Sequence, residues 1–323
     1  MFRYIAKRIL LLIPVLLGIS LVVLVIIDLT PGDPARMLLG TQATQEQVDE
    51  LREQLGLNDP LPVRYVRYIW GILHGDFGSS LKTKRPIIDE MLQRFPYTLT
   101  LVTFSIIISI FIGIPIGIYA STHQYSWKDN TAIFLSLICV SMPSFWFALL
   151  LIRFFGVQLR VLPISGVVSW KGWVLPCIAM ALGLAALIAR QMRSDLLEVI
   201  RQDYITTAKA KGLSRRRVIY RHALKNAMIP VIMVVGSVFG SSLGGSLITE
   251  MIYSIPGLGQ YIMSALSNRD YPVIQSGILI LSTMFTVIIL IVDVVFALVD
   301  PRIRSQYIGK SRKKEGKLLE TEA

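Results

Sequence analysis

Six long apolar runs constrain this chain more than any other feature: residues 9–27, 99–119, 133–155, 174–189, 228–251 and 274–299. A helix rising 1.5 Å per residue needs about 20 mainly apolar residues to cross the ~30 Å hydrocarbon core of a bilayer. Lipid offers no partner to an unsatisfied backbone N–H or C=O, so such runs are expected as helices whose hydrogen bonds close internally. The alternation expected of a barrel strand is absent. Composition agrees: of 323 residues, 53% are hydrophobic and 17% charged, with a mean hydropathy of +0.59, values a soluble globular domain rarely shows. The fold class expected is an all-α membrane protein with six transmembrane helices. Pro14, Pro115, Pro143, Pro176 and Pro230 fall in these runs, each removing a backbone hydrogen bond and able to bend its span.

Lysine and arginine give the orientation. With the N-terminus inside, the inner segments hold Arg3, Lys7, Arg8, Lys128, ten basic residues from Arg190 to Lys225 and seven from Arg302 to Lys317, 21 in all. The outer segments hold 11, eight of them in the long stretch 31–97, where the positive-inside rule has least force. Both termini of a multi-pass membrane protein are therefore expected in the cytoplasm. The net charge of +12 is then a charge facing anionic lipid, and nucleic acid is not needed to explain it. The first run is longer than a signal-peptide core and no A-x-A-like site follows it, so it reads as an uncleaved helix. Cys139 and Cys177 both lie in apolar runs and read as small core residues.

Residues 31–97 carry helical signals of their own. Thr44 and Gln47 are spaced as a capping box ahead of Val48, Leu51 and Leu55, with Gly56 as the stop. Val63, Val66, Ile69, Trp70 and Leu73 form a second apolar stripe, and Pro86 opens a third with Ile87, Met91, Leu92 and Phe95. Each stripe is too small to make a core, so all three are expected to pack on one another and on the outer mouth of the bundle. They make either a structural cap there or a landing surface for an external partner.

Enzymatic chemistry is not legible. His74, His123 and His222 are scattered, against a metal site. No G-x-x-x-x-G-K-[ST] phosphate loop occurs, so no bound cofactor is expected and the chain should not hydrolyse ATP by itself. The tract Gly240, Ser241, Ser242, Leu243, Gly244, Gly245, Ser246 reads as close helix packing or as a small-residue pore wall. Asp293 lies inside the sixth run, a costly position for a charge. It is expected in a transport role or in a buried structural pair. Arg153 and Glu250, near the ends of their runs, read as interfacial.

The segment 190–228 is different in kind. Its basic residues surround small ones: Thr206, Thr207, Ala208, Lys209, Ala210, Lys211, Gly212, Leu213, then Arg215. Charge anchoring alone does not require that small, glycine-ended turn. The segment reads as a short helix with a low-profile face, built to enter a groove on another protein.

These residues carry a resemblance. Thr207 to Leu213, then Arg221-His222-Ala223-Leu224 and Ile229-Pro230, resemble the EAA loop of binding-protein-dependent ABC importer permeases of the dipeptide/oligopeptide/nickel class. Pro31-Gly32-Asp33-Pro34, Gly75-Asp76-Phe77-Gly78-Ser79-Ser80, Pro256-Gly257-Leu258-Gly259, Arg269-Asp270-Tyr271-Pro272 and Asp300-Pro301-Arg302-Ile303-Arg304 are similar to segments of the first of the two permeases in such systems. The likeness covers about residues 1–305. Thr206 and Lys225 stand where the general motif has a glutamate and a proline, so the glutamate's contact does not carry over.

The resemblance implies a type I ABC importer permease fold with an extracytoplasmic helical insertion after the first helix. In that frame residues 1–30 are the first helix, 31–97 the insertion, 98–305 the core with its coupling loop 190–228, and 306–323 a charged tail. It implies a non-catalytic subunit forming half of a pathway for di- or oligopeptides, with nickel, glutathione or another small solute as alternatives. The partners implied are a second homologous permease, two ATP-binding subunits that bind the ATP, and an extracytoplasmic substrate-binding protein. A proton-coupled secondary transporter relaying through Asp293, or a non-transporting scaffold, are the rival readings from other classes.

Overall fold

The computed structural model of the chain describes residues 2–30, 32–39, 43–54 and 56–299. Its helices run α1 (Phe2–Leu29), α2 (Pro34–Leu39), α3 (Gln45–Gln54), α4 (Leu61–Leu73), α5 (Ile87–Thr122), α6 (Trp127–Ser141), α7 (Ser144–Leu151), α8 (Lys171–Ile200), α9 (Asp203–Ala210), α10 (Arg215–Arg217), α11 (Leu224–Ile252), α12 (Leu258–Ser267) and α13 (Tyr271–Val299). Single π-helical segments, Ile152–Gln158 and Val218–Ala223, extend α7 and join α10 to α11. Among the described residues the only extended pairing is a bridge between Ser79 and Pro86.

Five stretches are long and apolar enough to cross a membrane: Leu10–Leu29, Ile87–Thr122, Lys171–Ile200, Arg215–Ile252 and Tyr271–Val292. The run at 133–155, expected as one helix, is instead two, bent by 98° between α6 and α7. Pro143 is the cause. Its ring drives the preceding Met142 into an extended conformation (ψ 127°), and Pro143 itself opens α7 in place of sitting inside a helix. The other four prolines do lie inside helices.

The packing of α5 on α8 decides what the bent pair must do. Gly113 sits over Ala185 and Ile188, and Gly117 over Ala189 and Met192. Rising residue numbers in one helix thus meet rising numbers in the other, and the two run parallel. Two parallel spans require the chain between them to cross back, so α6 and α7 together make one crossing and the bundle has six. The contact is close because it must be. A Cβ on either glycine would lie 2.6 Å from a carbonyl oxygen of α8. This is small-x-x-x-small packing, where close van der Waals contact stands in for the missing hydrophobic drive in lipid.

Three buried clusters stack along the bundle. One, around Met192, Leu196, Ile205, Val218 and Ala223, lies on the side of the 190–228 loop. A middle one joins Leu101, Leu175, Leu243 and Tyr253, and a third, around Ile87, Met91, Leu258, Ile262 and Ile274, lies on the side of the insertion. Helix α8 runs to Ile200, far past the apolar run that ends at 189. The stripe expected as a separate element after Pro86 is the first part of α5, unbroken through Pro96, so residue 97 falls inside a helix. The tail 306–323 and the motif 300–304 lie outside the described residues.

Candidate functional site

The 190–228 segment folds as the sequence suggests, with one reversal of face. Helix α9 spans two turns, and its buried residues are Ile205 and Ala208. Ala208 packs with Met192, Leu196, Val218 and Ala223 of its own chain. Its smallness therefore lets α9 lie close to its own bundle, which corrects the expectation that Ala208 belongs to an outward, groove-entering face. Thr206, Thr207, Lys209, Ala210, Lys211 and Gly212 are all exposed, and Leu213 is half-buried beneath them. Gly212 has φ +75°, with nothing within 4 Å of where a Cβ would stand. Its glycine is required by the left-handed turn that ends α9 and not by crowding within the chain.

Three side chains tie this element down. Arg215 donates to the Thr122 carbonyl at the end of α5 (2.5 Å), satisfying an orphan helix-end acceptor. Asn226 donates to the Tyr204 hydroxyl (2.7 Å), joining α11 to α9. Arg193 makes a two-pronged contact with the fully buried Asp129 (2.6 and 2.7 Å), and the Tyr125 amide donates to the same carboxylate. Arg193, by its position one of the loop's anchoring charges, is thus a structural residue locking the start of α6 to the end of α8. The exposed loop face keeps Lys209, Lys211, Arg216, Arg217 and Arg221, with Ser214, Arg216, Arg217, Tyr220 and Arg221 lining a shallow depression.

The glycine tract of α11 divides into a packed part and an open part. Gly240 packs against α13, where a Cβ would meet Ile289 and Phe285 at 2.9–3.0 Å. Gly244 and Gly245 have open space at the same position, and Ser241 is exposed beside them. Ser241 and Gly245 line a groove of about 330 Å³ that runs over the α6–α7 break, with Cys139, Met142, Gly183 and Thr249. Cys139 is thus half-exposed in the groove wall, whereas Cys177 is buried as expected.

On the insertion side the structure brings distant motifs together. Asp270 accepts from the Ser80 hydroxyl (2.6 Å) and the Leu81 amide (3.1 Å), and Ser276 donates to the Phe77 carbonyl. The 75–80 and 269–272 motifs are two halves of one joint. Glu250, read as interfacial, is fully buried. Its carboxylate accepts from Thr98 (2.7 Å), Ser246 (3.0 Å) and the Gln260 amide (3.0 Å), while Thr98 Oγ1 accepts from the Leu258 amide. A carboxylate at the N-terminus of α12 meets its unpaired amides and positive dipole end. Gly257 and Gly259 are the close approaches that admit it. The Pro256–Gly259 motif was the available signal. Tyr253 donates to the Ala148 carbonyl (3.1 Å).

The expected packing of the insertion holds in part. The Thr44–Gln47 capping box forms (3.0 and 3.4 Å) and Val48 is buried, while Leu55 lies outside the described residues. In the second stripe, however, Val63, Val66, Trp70 and Leu73 point outward. Arg153 is exposed on the π-helical segment after α7. Asp293 lies on α13, and its side chain is outside the described residues.

Comparison with known proteins agrees with this architecture. Residues 113–305 match the binding-protein-dependent transport system inner membrane component family, and residues 1–102 match the N-terminal region of such membrane components. The chain belongs to this family, and it is a permease subunit of an ABC importer. It is 43% identical to the dipeptide transport system permease protein DppB of Alkalihalophilus pseudofirmus, over 94% of this chain and 100% of that one. It is 41% identical to the glutathione transport system permease protein GsiC of Salmonella paratyphi A, over 94% and 99%. In fold it is similar to a chain of the inward-facing MetNI methionine ABC transporter, with a TM-score of 0.56 at 19% identity, covering 65% of this chain and 96% of that one.

Proposed function

We propose that this permease forms half of a pathway for di- and oligopeptides, delivered by an extracytoplasmic binding protein and driven by ATP hydrolysed on two separate ATPase subunits. The observation that carries the substrate class is full-length similarity to permeases named for a dipeptide and for glutathione, itself a tripeptide. A second, homologous permease supplies the other half. The α6–α7 break and the small-residue wall at Ser241, Gly244 and Gly245 line this chain's share of the path. Both termini and the 190–228 loop face the cytoplasm, where the exposed face of α9 with Thr206, Thr207, Lys209, Ala210, Lys211 and Gly212 receives the motion of an ATPase subunit. The chain itself is non-catalytic.

The deciding experiment is uptake into proteoliposomes holding this chain, its partner permease and the ATPases, with binding protein and labelled di- and tripeptides outside and ATP within. Peptide accumulation that needs ATP and survives a protonophore is expected. Accumulation abolished by the protonophore would move the protein to the proton-coupled class. Uptake of nickel in place of peptide would overturn the substrate.

A further inference from the structure

Helix α4 carries an apolar face that no described residue of the chain covers. None of its residues is buried, and Val63, Val66, Trp70 and Leu73 are 47–74% exposed. At 100° per residue these four share one face. The opposite face meets α1. There the Tyr65 hydroxyl donates to the Leu17 carbonyl (2.8 Å) and lies 3.1 Å from Ser20 Oγ, while Arg64 pairs with Asp28 (2.5 Å). Arg67, on one edge, pairs with Asp59 (2.7 Å).

The attachment fixes the depth of α4. Arg3, Lys7 and Arg8 mark where α1 enters hydrocarbon. About 20 residues at 1.5 Å each are then needed to cross, which places the far boundary near Leu29. Leu17 and Ser20 lie well within that length. A helix held one tyrosine side chain away from them, and tied through Arg64 to Asp28, sits against α1 at the level of the bilayer's outermost third. On α1 itself, over the same outer part of the span, Leu21, Val22, Ile26 and Leu29 are exposed as well.

We propose that α4 is an in-plane membrane helix, lying in the leaflet on the insertion side with Val63, Val66, Trp70 and Leu73 among the acyl chains. Its composition fits that setting. Apolar residues with a tryptophan occupy one face, and Arg67 on the edge keeps its charge paired with Asp59 and open to water. The part of the insertion read as a cap or landing surface is then a lipid contact that steadies α1 against the bundle.

The test uses the assembled importer in vesicles of phosphatidylethanolamine and phosphatidylglycerol. With Cys139 and Cys177 replaced by alanine, nitroxide labels are placed at Val66→Cys, Leu73→Cys and, as an aqueous reference, Gln45→Cys on α3. Collision with oxygen, which concentrates in lipid, is compared with collision with a water-soluble nickel chelate. The oxygen-to-chelate ratio is expected several-fold higher at 66 and 73 than at 45. A chelate-favoured ratio at 66 and 73 would put the stripe in water. Low collision with both agents would put a protein partner on it. Either result overturns the proposal. Should labelling disturb assembly, quenching of Trp70 by lipids brominated on their acyl chains, read against Trp70→Phe, decides the same point, and equal quenching in both would refute it.

Discussion

Replacing Gly212 separates two things a glycine can do at the end of α9. Its φ of +75° lies in the left-handed region, and a Cβ there would meet nothing within 4 Å of its own chain. A side chain therefore costs conformation and not space. For an L-residue that cost is about 1–2 kcal/mol, and asparagine, which visits this region readily, should incur less of it. If the ATPase accepts only the turn as observed, apparent affinity falls with the population of that turn, by roughly five- to thirtyfold for 1–2 kcal/mol. The series is Gly212→Ala, Gly212→Asn and Gly212→Leu, each titrated with the purified ATPase subunits in detergent, with binding-protein-stimulated ATP turnover as a second readout. Alanine and leucine should weaken association alike, and asparagine should recover most of it. The opposite ranking, with alanine silent and asparagine as damaging as leucine, would show that close approach of the partner matters. A required left-handed turn at Gly212 would then be refuted.

Four further outcomes follow from the structure. Arg193→Leu leaves the buried Asp129 carboxylate with the Tyr125 amide and without its cation. A loss of about 3–5 kcal/mol is expected, seen as a lower midpoint in detergent thermal denaturation and partly reversed by adding Asp129→Asn. Thr98→Val removes one donor to Glu250 and the acceptor of the Leu258 amide, so the midpoint should fall by the equivalent of about 2–4 kcal/mol, while the exposed control Thr131→Val changes it little. Gly117→Val should abolish folded, monodisperse protein, because α5 cannot approach α8. Gly245→Leu, at an open position, should fold normally yet lose peptide uptake, and normal uptake would remove the groove from the pathway.

The class of solution was already written in the order of residues along the chain. Six apolar runs require helices that satisfy their own backbone, the basic residues mark one side, and the capping box and glycine stops delimit α3 and α9. These are local or one-dimensional constraints, readable wherever a residue's role depends on its near neighbours in the chain. What needed the tertiary structure depends on partners far away in sequence. Ala208 reads as part of an outward face until Ile205, Val218 and Ala223 are seen around it. Glu250 reads as interfacial until Thr98, 152 positions away, and the α12 amides are seen to hold it. The glycine tract could not be divided by inspection, because packing at Gly240 and openness at Gly245 depend on where α13 runs. The break at Pro143 was within reach of the sequence, since proline restricts its predecessor everywhere. Whether a given proline bends a span or splits it depends on whether neighbouring helices hold the two halves in line. Here α8 packs against both α6 and α7, whose directions differ by 98°, and the chain follows that packing.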